Sequence, residues 1–302
     1  MPAPTRILSG PTLPAIILFF VIVAAIFLAG TLFAYPLYGL ASPFLDAGLD
    51  KAVHYGIQLT ALAIGIIYLR QAGLLQTLAG TGLGRRQASR SLLAGFAAGI
   101  VILLLLELSL GLLGMRQADP DLGAGFTSLL LAIVKAVFTG LLVAVIEEFL
   151  YRGAIYTGLV RYSSVFTALL VSSLFYGAVH FIDFQPLPEG MTAGWGTAFH
   201  ILANAFAGFT DPLILDSLLS LVLLGLLLGL VRWRTGSLVA CIGLHAGIVA
   251  VNKVASYATD YRPGSDFAML VNTYDHQTGV VASAWLLLAC ALYYKLQVRD
   301  RQ

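Results

Sequence analysis

The stretch 145–152 reads Val-Ile-Glu-Glu-Phe-Leu-Tyr-Arg, and it places three formal charges in eight residues of an otherwise apolar sequence. A charged side chain in the middle of a bilayer costs at least about 2.5 kcal/mol on the insertion scale. In a helix, Glu148 and Arg152 lie on one face because they are four residues apart, and they can pair. Glu147 points about 100° away from Glu148 and has no partner within its own turn. The pattern therefore predicts that Glu148 is paired with Arg152, whereas Glu147 is available for chemistry.

A histidine further along the chain matches Glu147 in position. The polar break at 161–164, Arg-Tyr-Ser-Ser, lies midway between Glu147 and His180. An antiparallel helical hairpin that turns at this break would bring both side chains to one depth, about 25 Å from the turn. A carboxylate and an imidazole at one level are typical of acid–base chemistry. The alternative is a buried ion cluster that only fixes helix packing, with His180 as a packing residue.

The composition of the chain is that of a membrane protein. Of its 302 residues, 59% are hydrophobic and 11% are charged, and the mean hydropathy is +0.90. Soluble domains carry about 25% charged residues, so we predict an all-α fold, a polytopic transmembrane helical bundle. The length rule of about 20 residues per span gives about eight spans, at 14–36, 54–70, 92–114, 126–161, 164–181, 213–231, 237–252 and 280–296.

The basic residues between these spans are unevenly distributed, which indicates an orientation. One side of the predicted topology carries Arg6, Arg70, Arg85, Arg86, Arg90, Arg161, Arg232, Arg234, Lys295, Arg299 and Arg301. The other side carries Lys51, Arg116, Lys253 and Arg262. We therefore expect an integral membrane protein with both termini in the cytoplasm, and the absence of organelle signals favours a bacterial inner (cell) membrane. No basic cluster is typical of a nucleic-acid surface, so no nucleic-acid partner is expected.

Four blocks of sequence follow one another inside the apolar segments. They are Glu147-Glu-x-x-x-Arg152, Tyr176-x-x-x-His180, Gly225-x-x-x-Gly229 with the basic segment that follows it to Ser237, and Gly243-Leu-His-Ala-Gly247. In this order the blocks resemble the CPBP family, the membrane proteases that include the CAAX prenyl endopeptidases and the bacteriocin-processing or Abi proteins. The resemblance covers about residues 130–252. Independently of the resemblance, the glycine pair of the third block predicts a close-packing helix face.

The resemblance divides the chain into three parts. We expect residues 1–125 to form N-terminal transmembrane helices, residues 126–252 to form the CPBP-like protease core, and residues 253–302 to form an external loop and the last transmembrane helix. The core contains an insertion at 182–212, whose mixed polar and aromatic residues are typical of an interfacial helix that shapes substrate access. Within it, His200 and Asn204 are four residues apart, and they form either a second polar face or plain interfacial packing.

The resemblance also implies a role for the residues of the first two blocks. Glu147 would activate the attacking water, and His180 would be its partner. Glu148 and Arg152 would complete the first motif, and Tyr176 would support the site.

The fourth block contributes His245, which can donate a hydrogen bond to the developing oxyanion. The family pattern has Asn or Asp four residues after this histidine, where the present chain has Val249. Asn252, one turn further on, is the candidate substitute. The completeness of the oxyanion site is therefore open at this stage, whereas the Glu147 and His180 pair is unaffected.

A zinc ion is an open alternative for activating the water. Glu148, His180 and His245 could form a two-histidine, one-carboxylate zinc site with a free coordination position. The sequence has no His-Glu-x-x-His on one helix. We therefore favour a water activated by a glutamate without an obligatory metal, with zinc at those three residues as the alternative.

The predicted function is that of an intramembrane endopeptidase. Its partners would be the lipid bilayer and a membrane-associated peptide or protein whose peptide bond it hydrolyses. Two other functional classes remain as alternatives to a protease. A non-catalytic scaffold for peptide or protein processing would tolerate substitution of Glu147. A proton-coupled transporter would use Glu107, Glu147, His180 and His245 as relay groups. Glu107 is expected either to pair with Lys135 or to line the cavity.

Overall fold

A computed structural model describes residues 12–45, 47–73, 85–119, 125–271 and 275–299. Arg6 and Arg301, which contributed to the predicted orientation, lie outside the described residues. The helices are α1 Thr12–Ala41, α2 Leu49–Gln71, α3 Arg85–Leu112, α4 Phe126–Glu148, α5 Tyr156–Tyr162, α6 Val165–Val179, α7 Trp195–Asn204, α8 Leu215–Thr235, α9 Leu238–Ala258 and α10 Val280–Arg299. A π-helix, Phe149–Ile155, joins α4 to α5.

Short elements connect these helices. Three 3₁₀ turns span Ala207–Thr210, Pro212–Ile214 and Ala268–Leu270. Strand β1, Arg116–Ala118, pairs in antiparallel fashion with β2, Thr259–Tyr261. This small ribbon ties the end of α3 to the end of α9.

The apolar helices correspond to the predicted spans. Within the described residues, six helices are long and apolar enough to cross a membrane. The predicted fifth and eighth spans correspond to two shorter apolar helices, Val165–Val179 and Val280–Lys295. The all-α, polytopic membrane class is therefore confirmed, and the protein is an integral membrane protein. The predicted fourth span is one segment, Thr127–Tyr162, which the π-helix interrupts without ending it.

Glycines hold α9 tightly between α3 and α4. A Cβ atom at Gly99 of α3 would collide with the carbonyl oxygen of Leu244, and one at Gly243 of α9 would collide with that of Leu92. On the other side, a Cβ at Gly140 of α4 would lie 2.7 Å from the carbonyl oxygen of Ala246. Small residues of this kind let membrane helices approach closely. The position of α9 is therefore fixed against both of its neighbours.

Helices α6 and α8 pack through the predicted glycine face. A Cβ at Gly225 would lie 3.1 Å from Cα of Ser173, and a Cβ at Gly229 would lie 2.8 Å from Cδ2 of Leu169. The Gly225-x-x-x-Gly229 packing prediction is therefore confirmed.

The segment 182–212 packs over α1 and α2 through α7. The indole Nε1 of Trp195 donates a hydrogen bond to the carbonyl oxygen of Leu32 over 3.1 Å. The Trp195 ring also lies edge-on to Tyr35, with ring centroids 5.0 Å apart. On the exposed side of α7, Nδ2 of Asn204 lies 3.1 Å from Nε2 of His200. This pair is a local contact on the surface of α7.

Glu107 of α3 has a different partner from the one expected. Its carboxylate lies 3.6 Å from Nε of Arg116 and also accepts a hydrogen bond from Gln277. Strand β1 brings Arg116 back over the end of α3, so Glu107 is neutralised there and not by Lys135. Glu107 does not line the cavity described below, so the relay predicted for a transporter is not brought together.

Candidate active site

Glu148 is the centre of a buried polar cluster. Its side chain is fully buried, and its Oε1 accepts a hydrogen bond from Nη1 of Arg152 over 2.9 Å. The second guanidinium nitrogen, Nη2, donates to the carbonyl oxygen of Gly225 over 3.0 Å. A buried ion pair is tolerated when further hydrogen bonds satisfy its remaining groups. The predicted pairing of Glu148 with Arg152 is confirmed, and it links the fourth span to α8.

The backbone changes its geometry immediately after the two glutamates. Helix α4 ends at Glu148, and the next seven residues, Phe149–Ile155, form the π-helix that contains Arg152. In a π-helix the hydrogen bonds close at residue i+5, so the side chains that follow are rotated relative to a regular α-helix. Such segments frequently occur at functional sites. The apolar periodicity of the sequence gave no signal for it.

His245 contacts both glutamates. Its Nδ1 lies 2.9 Å from Oε1 of Glu148, so the Nδ1 hydrogen is donated to that carboxylate. Its Nε2 consequently faces the other way and lies 4.0 Å from Oε2 of Glu147. The ring is almost fully buried on α9, the helix that the glycines hold in place. The sequence-based account paired Glu147 with His180, whereas the geometry also places His245 beside it.

His180 lies at the end of α6, where the predicted hairpin brings it. The turn follows α5, and the side chain of Ser164 begins α6 by accepting a hydrogen bond from the backbone N–H of Thr167 over 3.0 Å. Nδ1 of His180 lies 2.7 Å from the carbonyl oxygen of Tyr176, to which it donates. His180 and Glu147 line the same cavity. The hairpin prediction is therefore confirmed, and it brings the acid and the imidazole to one pocket.

Tyr176 connects the two histidines with the arginine. Its ring is buried, and the guanidinium carbon of Arg152 lies 4.7 Å from the ring centroid, which is a cation–π distance. The ring centroids of His180 and His245 lie 4.8 and 6.1 Å away. Tyr176 therefore contacts Arg152 and both histidines of the cluster.

A cavity of about 800 Å³ opens beside the cluster. Residues of α1, α2, the π-helix, α5 and the end of α6 line it, and most of them are apolar. The side chain of Glu147 is 25% exposed, whereas that of Glu148 is fully buried. Glu147 is therefore the carboxylate that a molecule in the cavity can reach.

Two polar residues of the cavity wall, His54 and Gln58 of α2, were missed by the sequence reasoning. Their four-residue spacing inside an apolar span is the signal that could have identified them, because it places both side chains on one helix face.

Asn252 lies apart from the cluster. It is seven residues beyond His245 on α9, which corresponds to about 10 Å along the helix axis. Its Oδ1 accepts a hydrogen bond from the hydroxyl of Ser256 over 3.2 Å, and it does not line the cavity. This geometry does not bring Asn252 to the position that was predicted for an oxyanion donor.

The described part of the chain does not contain an assembled set of ligands for the zinc ion considered as an alternative. No group of three His, Cys, Asp or Glu side chains there is arranged to hold a metal ion. Glu148, His180 and His245 are therefore not assembled into a zinc site in this arrangement.

Comparison with known families covers the same part of the chain. Residues 129–251 match the family described as type II CAAX prenyl endopeptidase Rce1-like. This match supports the resemblance of the four sequence blocks to the CPBP family of CAAX-type membrane proteases. The matched region contains both glutamates, Arg152 and both histidines of the cluster. The match therefore supports a CAAX-type intramembrane endopeptidase, which is a peptide hydrolase, as the general class of this protein. Comparisons with curated proteins and with solved structures gave no match.

Proposed function

We propose that this CPBP protein cleaves a peptide bond of a membrane-associated peptide or protein with a water molecule that Glu147 activates. The observation that carries the proposal is the contrast between the two adjacent glutamates. Glu148 is fully buried and paired with Arg152, whereas the side chain of Glu147 is 25% exposed and borders the cavity. A general base must be within reach of the proton that it removes. Glu147 has this access and Glu148 does not.

His245 would orient the attacking water. Its Nδ1 hydrogen is donated to Glu148, so the neutral ring presents a lone pair at Nε2, 4.0 Å from Oε2 of Glu147. Groups separated by more than 3.5 Å are commonly bridged by water. One water can donate one hydrogen to Glu147 and the other to His245, which directs its lone pair toward a substrate carbonyl. This role differs from the oxyanion contact expected from the sequence, which would require a protonated ring.

The hydrolytic step uses these groups as follows. Glu147 takes a proton as the water oxygen bonds to the carbonyl carbon, and the C=O electron pair moves to oxygen. When the carbonyl re-forms, the C–N bond breaks and Glu147 returns the proton to the departing amine. His180 lines the same cavity and, with Nδ1 donated to Tyr176, faces the reaction through Nε2. We assign His180 to polarising the carbonyl in its protonated form, in which Nε2–H would donate a hydrogen bond to the developing oxyanion.

The test compares wild type with Glu147→Gln in proteoliposomes that contain a library of single-span peptides. Removing the base should lower the cleavage rate by about 100-fold or more. Glu189→Gln, the same substitution at an exposed glutamate of the insertion, is the matched control and should cleave at the wild-type rate. Equal rates for wild type and Glu147→Gln would contradict the proposal.

We further propose that the arginine-rich end of the bundle faces the cytoplasm of a bacterial inner membrane. Arg70 lies in the last turn of α2, and Arg161 lies in the last turn of α5. These ends lie together, because a Cβ at Gly158 of α5 would lie 3.4 Å from the hydroxyl of Tyr68. Positive residues concentrate on the cytoplasmic side of membrane proteins.

A further inference from the structure

A polar pair lines the cavity on α2, outside the part of the chain that matches the family. His54 and Gln58 lie on one face of α2, four residues apart, and both line the cavity that contains Glu147. Neighbouring lining positions on α2, including Ile57 and Ile64, are apolar. Polar groups inside a membrane segment are costly, and they mark cavities and substrate paths. The pair therefore offers hydrogen-bonding groups to a molecule inside the cavity.

Helix contacts give the depth of this pair relative to Glu147. A Cβ at Gly65 of α2 would lie 3.5 Å from Cβ of Ala154, so Gly65 and Ala154 lie at about one level. Gln58 precedes Gly65 by as many residues as Glu147 precedes Ala154. With a rise of about 1.5 Å per residue, Gln58 therefore lies near the level of Glu147 and His54 roughly 6 Å beyond it.

An aromatic contact agrees with this depth. The ring of His54 lies edge-on to that of Phe184, with centroids 5.6 Å apart. Phe184 follows His180 by four residues, on the side of the segment 182–212. His54 therefore lies beyond the catalytic cluster, toward that segment.

These distances match the repeat of an extended peptide. One residue of an extended chain spans about 3.3 Å, so Gln58 would be level with the first residue and His54 with the third residue from the scissile bond. We propose that Gln58 and His54 accept hydrogen bonds from the substrate backbone at these two positions and hold the peptide extended along α2. This inference rests on the proposed function and assigns the pair to substrate positioning. The ligand is a peptide main chain. The side chains of the peptide contact the apolar residues that line the cavity.

The experiment combines variants with backbone-modified substrates. His54→Leu and Gln58→Leu are compared with wild type in vesicles of phosphatidylethanolamine and phosphatidylglycerol, on the single-span peptides and on copies that are N-methylated at one backbone position at a time. Loss of one hydrogen bond should raise KM about tenfold with kcat unchanged. N-methylation at the third position on one side of the scissile bond should have the same effect in wild type and no added effect in His54→Leu. N-methylation at the first position should likewise raise KM in wild type and have no added effect in Gln58→Leu.

Two controls carry the same substitutions elsewhere. Gln117→Leu changes an exposed glutamine of β1, and His200→Leu changes an exposed histidine of α7. Both should keep the wild-type KM. Binding of the same peptides to each variant in a Glu147→Gln background gives a readout that requires no cleavage. The inference would be overturned if both α2 variants kept the wild-type KM and peptide Kd. It would also be overturned if, at every backbone position, N-methylation and the α2 substitution raised KM additively. A wild-type protein that binds peptides but does not cleave them would instead contradict the proposed function.

Discussion

Glu148 and His245 are 97 residues apart in the sequence, yet Oε1 of Glu148 lies 2.9 Å from Nδ1 of His245. This single contact determines how the site is arranged. It uses the Nδ1 hydrogen of the histidine and directs Nε2 toward Glu147. The same carboxylate oxygen accepts a hydrogen bond from Arg152, so the orientation of the histidine depends on a fully buried ion pair.

The Glu148 contact predicts that two conservative substitutions of His245 differ in their effects. The amide nitrogen of Asn occupies a position similar to Nδ1, so His245→Asn should still donate to Glu148 while lacking a group at Nε2. It should keep the wild-type Tm in detergent and lose about 100-fold or more in cleavage rate. His245→Leu leaves the buried carboxylate with one donor fewer and should lower both Tm and rate. Full activity in His245→Asn would exclude a role for Nε2.

The buried ion pair predicts non-additive stability effects. Glu148→Gln leaves the guanidinium of Arg152 without its counter-charge, and Arg152→Met leaves the carboxylate without its own. Breaking a buried pair costs about 3–5 kcal/mol, so each single variant should unfold at a clearly lower temperature. The double variant should be more stable than the sum of the two losses predicts. Thermal unfolding of the four proteins in detergent measures this coupling, and strict additivity would show that the pair does not act as a unit.

The glycine contacts of α8 predict different outcomes at two similar positions. At Gly225 a methyl group would meet the backbone of Ser173 and the ring of Tyr176 at 3.1–3.2 Å. Gly225→Ala should therefore push α8 away, displace the carbonyl that Arg152 binds, and cost about 1–3 kcal/mol through overpacking. At Gly229 the methyl would meet only the flexible end of Leu169. Gly229→Ala should cost less and retain activity, and a reversed order of the two Tm values would contradict this reading.

Metal removal tests the absence of an assembled zinc site. Glu148, His180 and His245 do not form a three-donor group that is arranged to hold a metal ion. We therefore expect the cleavage rate in proteoliposomes to be unchanged after prolonged incubation with excess chelator. Loss of activity that added zinc restores would show that these side chains rearrange around a metal.

The proposed orientation can be tested through cysteine labelling. Both native cysteines, Cys241 and Cys290, are buried, so they give little background with a membrane-impermeant thiol reagent. In intact cells, Glu189→Cys in the insertion should react from outside, whereas Arg161→Cys at the end of α5 should react only after permeabilisation. The opposite pattern would reverse the topology.

The sequence predicted the helices and the first motif because local rules determine them. Apolar segments of span length gave the membrane helices, and four-residue spacing gave the Glu148 and Arg152 pair. The polar break before Ser164 gave the hairpin, since counting residues from a turn fixes the depth of a side chain.

Counting does not fix the direction in which a side chain points, so the contact of His245 with both glutamates could not be predicted. That contact depends on how α9 packs, and contacts such as that of Gly99 with Leu244 join residues far apart in the chain. The π-helix after Glu148 was also missed, because it leaves no trace in hydropathy. Asn252 was misplaced for a related reason. Seven residues return to nearly the same helix face, but they also move about 10 Å along the axis.

The central claim is that Glu147 activates the attacking water, and one comparison tests it most directly. The measurement is kcat and KM of wild type and Glu147→Gln on the peptide that wild type cleaves fastest in proteoliposomes, with Glu189→Gln beside them. We predict that kcat falls about 100-fold or more while KM and Tm stay at their wild-type values, because Glu147 is the partly exposed carboxylate of the pair. A Glu147→Gln protein with wild-type kcat would contradict the account.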